Sequence, residues 1–225
     1  MNNSFPFSDP AMVARYAEDT PRKVPGYGDL HRMAMLLLFE RLGSTADILV
    51  LGAGGGLELK ALAEAQADWR FTGVDPSPEM LDLARTVLGP LESRVALKRG
   101  YIDAAPTDPY DAALCLLTLH FVGVEERLHI LRALHARLKP GAPLVVAHHS
   151  YPSGDDARSW LQRSVVFAAN DPPDFSAAAA SVEFMIERLH VLSSDEDEAL
   201  LREAGFSDVS LFYAGFSFRG WVATA

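Results

Sequence analysis

Residues 48–57 read Ile48-Leu49-Val50-Leu51-Gly52-Ala53-Gly54-Gly55-Gly56-Leu57, and a second strand, expected over residues 70–74, ends at Asp75. An unbroken apolar run such as Ile48-Leu49-Val50-Leu51 predicts a strand buried on both faces of a parallel sheet. The glycines that follow let the backbone pass close to a ligand where a Cβ would collide. A helical stretch over 57–67 comes next, so the loop's amide N–H groups gather at a helix N-terminus, where polar and anionic groups are bound. Asp75 lies 23 positions after Gly52, at the tip of the next strand, where a carboxylate accepts hydrogen bonds from the vicinal hydroxyls of a ribose. Glycines after a strand are common turn residues on their own. Joined to Asp75, they point to a nucleoside-containing cofactor at the sheet's switch point.

Outward from this unit the pattern repeats. Ser77 reads as a helix N-cap with Pro78 at the first helical position, and Gly89-Pro90 stops that helix. Strand signals recur over 94–98, 111–117 and 144–147, with a helix over 125–138 between the last two. Alternating strands and helices predict an α/β fold with a parallel sheet and helices on both faces. The first 46 residues read as a helical cap: a short helix around Met12, Val13 and Tyr16, interrupted by Pro21 and Pro25, then a helix over 30–42. Residues 151–192 break the alternation with two helical stretches, 155–169 and 176–190, around the loop Asn170-Asp171-Pro172-Pro173-Asp174. They read as a lid over the carboxyl edge of the sheet. Its aromatics Tyr151, Trp160, Phe167 and Phe184 serve either as a pocket wall or as the lid's own core. A capping box, Ser193-Ser194-Asp195-Glu196, opens the last helix, and strands over 208–214 and 218–223 close the chain. The expected organisation is one domain over 1–225: cap 1–46, core 47–150, lid 151–192, and a final helix and hairpin 193–225.

The length of 225 residues suits one domain, and 49% hydrophobic with 22% charged residues suits a soluble globular chain. A net charge of −10 with no Lys/Arg run argues against nucleic acid as a partner. The single cysteine, Cys115, makes no intrachain disulfide and reads as core, which fits a reducing compartment. Residues 1–10 lack the basic and apolar parts of a secretory signal. The longest apolar runs, 33–39 and 112–122, fall short of the roughly 20 residues that cross a bilayer. The expectation is a cytoplasmic protein without a membrane span.

The glycines Gly52-x-Gly54-x-Gly56, with Leu57 in sixth place, depart from the dinucleotide fingerprint and suit an S-adenosylmethionine (SAM) loop better. With Gly73-Val74-Asp75-Pro76-Ser77-Pro78-Glu79-Met80, Tyr110-Asp111-Ala112-Ala113 and Leu138-Lys139-Pro140-Gly141, the chain resembles the class I SAM-dependent methyltransferases over residues 47–147. That resemblance implies a Rossmann-like, seven-stranded, mostly parallel sheet whose last strand is antiparallel. It implies SAM as cofactor and S-adenosylhomocysteine as product. By position, Gly52, Ala53 and Gly54 line the methionine part, Asp75 the ribose, and Pro76 and Met80 the adenine. Tyr101 and Ile102 edge the adenine, while Leu116 and Leu117 lie beside the sulfonium. The acid common two places before the first glycine is here Val50, and Glu58 is the nearest acid after the loop.

Val24-Pro25-Gly26-Tyr27, Thr118-Leu119-His120-Phe121 and Glu203-Ala204-Gly205-Phe206 are similar to the carboxy-SAM synthase family, which implies Tyr27 closing over the cofactor and a pair of subunits. That family has an asparagine at the place of Leu116 and an arginine that grips the extra carboxylate; near that second place stand Glu183 and Arg188. The loss of that cation favours ordinary SAM and methyl transfer to a small molecule. Alternatives are a carboxy-SAM synthase-like enzyme, a SAM-binding regulatory module without turnover, and a nicotinamide-dependent oxidoreductase.

Methyl transfer is an in-line displacement in which alignment supplies much of the rate, and a base helps when the acceptor carries a proton. His120, just beyond the fourth strand, and His148 and His149, just beyond the fifth, are the candidate catalytic residues, each also readable as a hydrogen-bonded loop histidine. With one cysteine and no ligand-spacing motif, no metal is expected.

Overall fold

A computed structural model describes residues 10–169 and 172–225. The reading of the first nine residues, and Asn170 and Asp171 of the lid loop, lie outside the described part.

Eight strands form one sheet: β1 Ala46–Leu51, β2 Trp69–Asp75, β3 Val95–Arg99, β4 Ala112–Leu116, β5 Pro143–Tyr151, β6 Leu192–Ser193, β7 Ser207–Gly215 and β8 Phe218–Thr224. The order β3-β2-β1-β4-β5-β8-β7 places β1 between β2 and β4, so the strand order reverses there and opens a crevice above the β1 tip. The first five strands are mutually parallel, and β8 runs antiparallel to both β5 and β7. The expected seven strands are joined by an eighth, the two-residue β6, which pairs with the end of β5.

The helices are α1 Pro10–Lys23, α2 Tyr27–Phe39, α3 Leu57–Ala65, α4 Pro78–Leu88, α5 Val124–His135, α6 Ala157–Ala168, α7 Ala178–Arg188 and α8 Ser194–Glu203. The run 48–51 is apolar throughout because its alternate side chains enter two cores. Ile48 and Val50 pack with Leu30, Leu38, Leu59 and Leu114, while Leu49 and Leu51 pack with Cys115, Leu131, Val146 and Trp221. The Ser77 cap forms as expected: its hydroxyl accepts the Met80 amide at 3.1 Å.

Two expectations about these elements are corrected. The first helix does not stop at Pro21; it continues to Lys23. Pro21 removes the one ladder bond its N–H would have donated to the Ala17 carbonyl, and only two residues follow before the helix ends. The fifth strand does not end at residue 147 but runs to Tyr151, because residues 143–149 all pair with β8; His148 and His149 are strand residues. The helices of the 151–192 insertion, α6 and α7, pack mainly on each other, with α6 also against β5 and against α1, and α1 in turn against α4.

Candidate functional site

The β1–α3 loop is held to its neighbour by backbone. The amides of Gly52 and Ala53 both donate to the Val74 carbonyl, at 2.8 and 3.0 Å. Asp75, buried at the β2 tip, ties the rest: one carboxylate oxygen accepts the Gly54 amide at 2.9 Å and the other the Ser77 amide at 2.9 Å. Burial raises the Asp75 pKa, and the two amides act against that rise. Gly52 has φ +75°, and a Cβ there would come within 2.0 Å of the Thr118 hydroxyl, so the turn admits only glycine.

Over the loop lies a hollow of about 80 Å³. The structure brings Gly52, Gly54, Asp75, Pro76, Met80, Tyr101, Ile102, Leu116 and Leu117 together on its wall. Ala53 is off the wall: its side chain points into the sheet, next to Gly73. Tyr27 is also off the wall, buried at the start of α2 with its ring against His31. Tyr16 of α1 lies there instead. A Cβ on Gly54 would stand 3.3 Å from its hydroxyl, and one on Gly55 2.9 Å from its ring. No motif marked Tyr16; the apolar stripe of Met12, Val13 and Tyr16 was the only trace of it. Leu117, a non-glycine residue at φ +56°, turns the chain sharply at the end of β4.

The wall's chemistry suits an adenosyl group. The Asp75 carboxylate, whose oxygens each retain lone-pair capacity, lies on the wall beside the apolar surface of Met80, Ile102 and Leu116. Val50, at the place of the missing acid, is core and reaches none of this. Glu58, buried in the first turn of α3, is pushed up to about 8 by that burial.

A second cavity, of about 310 Å³, shares Tyr16, Leu117 and Phe121 with the hollow. Its roof is α1, through Met12, Arg15, Asp19, Thr20 and Lys23, and its floor is His120, His149 and Phe218. A third, of about 380 Å³, continues past Lys23, His149 and Phe218 to Ser164 and Met185 of the insertion.

His120 and His149 therefore meet at one place, with ring centroids 4.7 Å apart. The His149 amide donates to His120 Nδ1 at 3.3 Å, and His149 Nδ1 lies 2.8 Å from the Ser217 hydroxyl. Burial lowers the pKa of both rings, His149 to about 3. His148 goes to the opposite face, as consecutive strand residues must. There its Nε2 lies 3.0 Å from Asp197 Oδ1, which also accepts Arg127 at 2.6 Å. Of the lid aromatics, Trp160 packs against Arg163 and Arg219, Phe167 faces Phe216, and Phe184 is exposed. None of these, nor Tyr151, lines the hollow or the cavity beside it. Arg188 covers the Phe184 ring and Glu183 pairs with Arg158, so neither reaches the hollow. Among the described residues no group of three or more His, Cys, Asp or Glu side chains gathers where a metal would sit. No helix of the described residues is long and apolar enough to cross a membrane.

Residues 49–144 match a family model described as a methyltransferase domain. The carboxy-S-adenosyl-L-methionine synthase of Chromohalobacter salexigens is 30% identical over 222 residues, covering 96% of this chain and 82% of the relative. That of Geobacter sp. strain M21 is 26% identical, covering 96% and 91%. Among solved structures, an O-methyltransferase family protein of Burkholderia thailandensis superposes with a TM-score of 0.61 at 16% identity, over 95% of this chain and 62% of its own. Human N-acetylserotonin methyltransferase in complex with SAM gives a TM-score of 0.60 at 17% identity, over 95% of this chain and 58% of its own. The chain thus spans about three fifths of each of these two solved chains, whose likeness is one of fold.

Proposed function

The chain belongs to the carboxy-S-adenosyl-L-methionine synthase family within the class I SAM-dependent methyltransferases, and from that premise we propose that it transfers the methyl group of SAM to a small molecule held under α1. The observation that carries this reading is the pair of adjoining cavities separated by Tyr16, Leu117 and Phe121. One has the loop and the carboxylate for a nucleoside; the other has polar groups for an acceptor and lies across the partition from it.

SAM, when bound, supplies a methyl group already activated by its sulfonium. Asp75 takes the ribose hydroxyls while keeping the loop closed through the Gly54 amide. Pro76, Met80, Tyr101 and Ile102 surround the base, and Gly52 with Gly54 leaves room for the methionine part. Leu116 and Leu117 exclude water where the methyl group is passed. The hollow's 80 Å³ is below the roughly 300 Å³ of small-molecule sites, so seating a nucleoside requires Tyr16 to lift from the glycine loop and join the two spaces.

The insertion favours ordinary SAM over its carboxylated form. Glu183 and Arg188 are engaged with Arg158 and Phe184, and neither lines the hollow. An extra carboxylate there meets Leu116 and no cation from the insertion. The test is calorimetric titration of the full chain with SAM, followed by mass spectrometry of incubations with candidate acceptors and, separately, with SAM and prephenate. SAM binding with appearance of S-adenosylhomocysteine and a methylated acceptor supports the reading. A carboxylated sulfonium product replaces it with the synthase activity, and binding without turnover makes the chain a regulatory module.

A further inference from the structure

We propose that Ser217 and Ser164 form a proton relay behind His149, through which a proton taken from the acceptor beneath α1 leaves into the third cavity. This rests on the reading of the cavity beneath α1 as the acceptor's place, and adds to its machinery one residue of the β7–β8 turn and one of α6.

The chain of contacts is continuous. His149 lines both cavities. Its Nδ1 lies 2.8 Å from Ser217 Oγ, which lies 2.6 Å from Ser164 Oγ, and Ser164 lines the third cavity. Backbone bonds fix the middle member: the Ser217 amide donates to Ser164 Oγ at 3.1 Å, and the Ser217 carbonyl accepts the Ser150 amide at 2.7 Å. Ser217 itself is fully buried. The far end is different, because exposed Lys23, Ala169 and Ser181 border the third cavity, whose 380 Å³ holds several waters.

The donor count leaves two arrangements. A hydroxyl has one proton and two lone pairs. Ser217 Oγ has no further partner among the described residues, so its proton points to one neighbour and it accepts from the other. Either Nδ1–H donates to Ser217, which donates to Ser164, or Ser164 donates to Ser217, which donates to a bare Nδ1. Ser164 accommodates both, since the Ser217 amide occupies one of its lone pairs and leaves the other. In the first arrangement the bare nitrogen of the ring is Nε2.

Passing from the first to the second moves a proton across every link. The acceptor's bond to hydrogen breaks, its electron pair stays on the acceptor atom, and an Nε2–H bond forms. The Nδ1 proton goes to Ser217, the Ser217 proton to Ser164, and the Ser164 proton to water in the third cavity. The ring is neutral at both ends of this movement. That neutrality matters because burial, opposed by the Ser217 carbonyl and aided by His148, pushes the His149 pKa to about 3. A ring so poor at holding a charge is a weak base unless its other proton departs. Around it stand Arg15, Tyr16, Asp19 and Lys23 of α1, with His120 and His148. His120 has no such exit: its Nδ1 accepts the His149 amide at 3.3 Å and holds no second proton to pass on.

The experiment uses the full chain with isotope-labelled histidine, with and without SAM. Long-range nitrogen–proton correlation spectra at neutral pH report which ring nitrogen carries the proton. Wild-type His149 is expected to show a measurable share of Nδ1–H. In Ser164→Ala the Ser217 proton has only Nδ1 left to point to, so that share is expected to be lost, and Ser164→Thr, which returns the hydroxyl, to restore it. Alanine suits a helix, so α6 persists in the first variant. His120 serves as the reference, its proton on Nε2 in every sample. Diethyl pyrocarbonate, which attacks a bare imidazole nitrogen, should modify His149 in the wild type and do so several-fold more slowly in Ser164→Ala, as read by mass spectrometry. A wild-type His149 with Nδ1 bare, an Nδ1–H that survives in Ser164→Ala, or a wild-type His149 that resists the reagent overturns the proposal. SAM titrations of the same samples separate the two ideas: a chain that binds SAM and fails these tests refutes only the relay, whereas a wild type that passes them and binds no SAM refutes the reading of the hollow.

Discussion

Asp75 Oδ2 accepts the Gly54 amide at 2.9 Å across the crevice between β2 and the glycine loop. One carboxylate thus shapes the loop and faces the hollow. Asp75→Ala is expected to weaken SAM binding by about 10- to 100-fold, from the roughly 1.5–3 kcal/mol of a hydrogen bond to a charged group. Calorimetric titration measures it, and unchanged affinity would show that the ribose is held elsewhere.

Gly52 and Gly89 both have positive φ, at +75° and +52°, but only Gly52 is crowded, with the Thr118 hydroxyl 2.0 Å from an added Cβ and nothing near Gly89. Gly89, at φ +52° and ψ −125°, is in a conformation that L side chains rarely adopt, so Gly89→Ala should cost about 1–3 kcal/mol, the backbone penalty alone. Gly52→Ala should cost clearly more and lose SAM binding as well. Urea unfolding midpoints of the two variants rank them.

Arg127 and Asp197, both buried, meet at 2.6 Å and join α5 to α8. Removing one partner leaves a bare charge in the core, so Asp197→Ala should destabilise by about 3–5 kcal/mol. The double variant Arg127→Met with Asp197→Leu should recover a large part of that loss. Chemical denaturation of the two variants provides the comparison, and equal losses would mean that the pair's charges are not the cause.

Two buried groups give opposite pH limbs. Glu58 titrates near 8 in the native chain against 4.5 as a free side chain. The folded state therefore holds this proton more tightly, and its contribution to stability is full below 4.5 and lost as pH rises to 8. His149 goes from 6.5 unfolded to about 3 folded, so its contribution is full above 6.5 and lost as pH falls toward 3. Glu58→Gln should flatten the alkaline limb and His149→Phe the acid one, read from unfolding midpoints across pH 3–9. Unaltered limbs in the variants would assign the pH dependence to other groups.

The fold was legible where the signals were local. Ile48-Leu49-Val50-Leu51, the glycines and Asp75 each state a backbone requirement within a few residues, and the unit they form lies where it was expected. Positions decided by distant packing were not legible. His148-His149-Ser150 looks like a polar exit from a strand. It is buried because β8 pairs along it, and Asp197, Ser217 and Leu192 each bond one of its side-chain polar atoms, while His148 Nδ1 has no partner. Tyr16 and Tyr27 differ in no local respect that says which will meet the glycine loop; the turn at Gly26, with φ +62°, sends α2 beneath it and leaves α1 above. The aromatic residues of 151–192 were equally open to core or pocket, and the packing of α6 on α7 turned Phe167, Phe175 and Phe184 outward.

The roof of the second cavity is α1, which precedes the stretch 49–144 shared with methyltransferase domains. Relatives that agree throughout that stretch and differ in their opening helix will therefore handle one coenzyme and different guests. A version of this protein shortened to begin at α2 should keep its sheet, because Leu30 and Leu38 still cover Ile48 and Val50, and forfeit selectivity, and grafting α1 from a relative onto it should transplant preference without touching the coenzyme's seat.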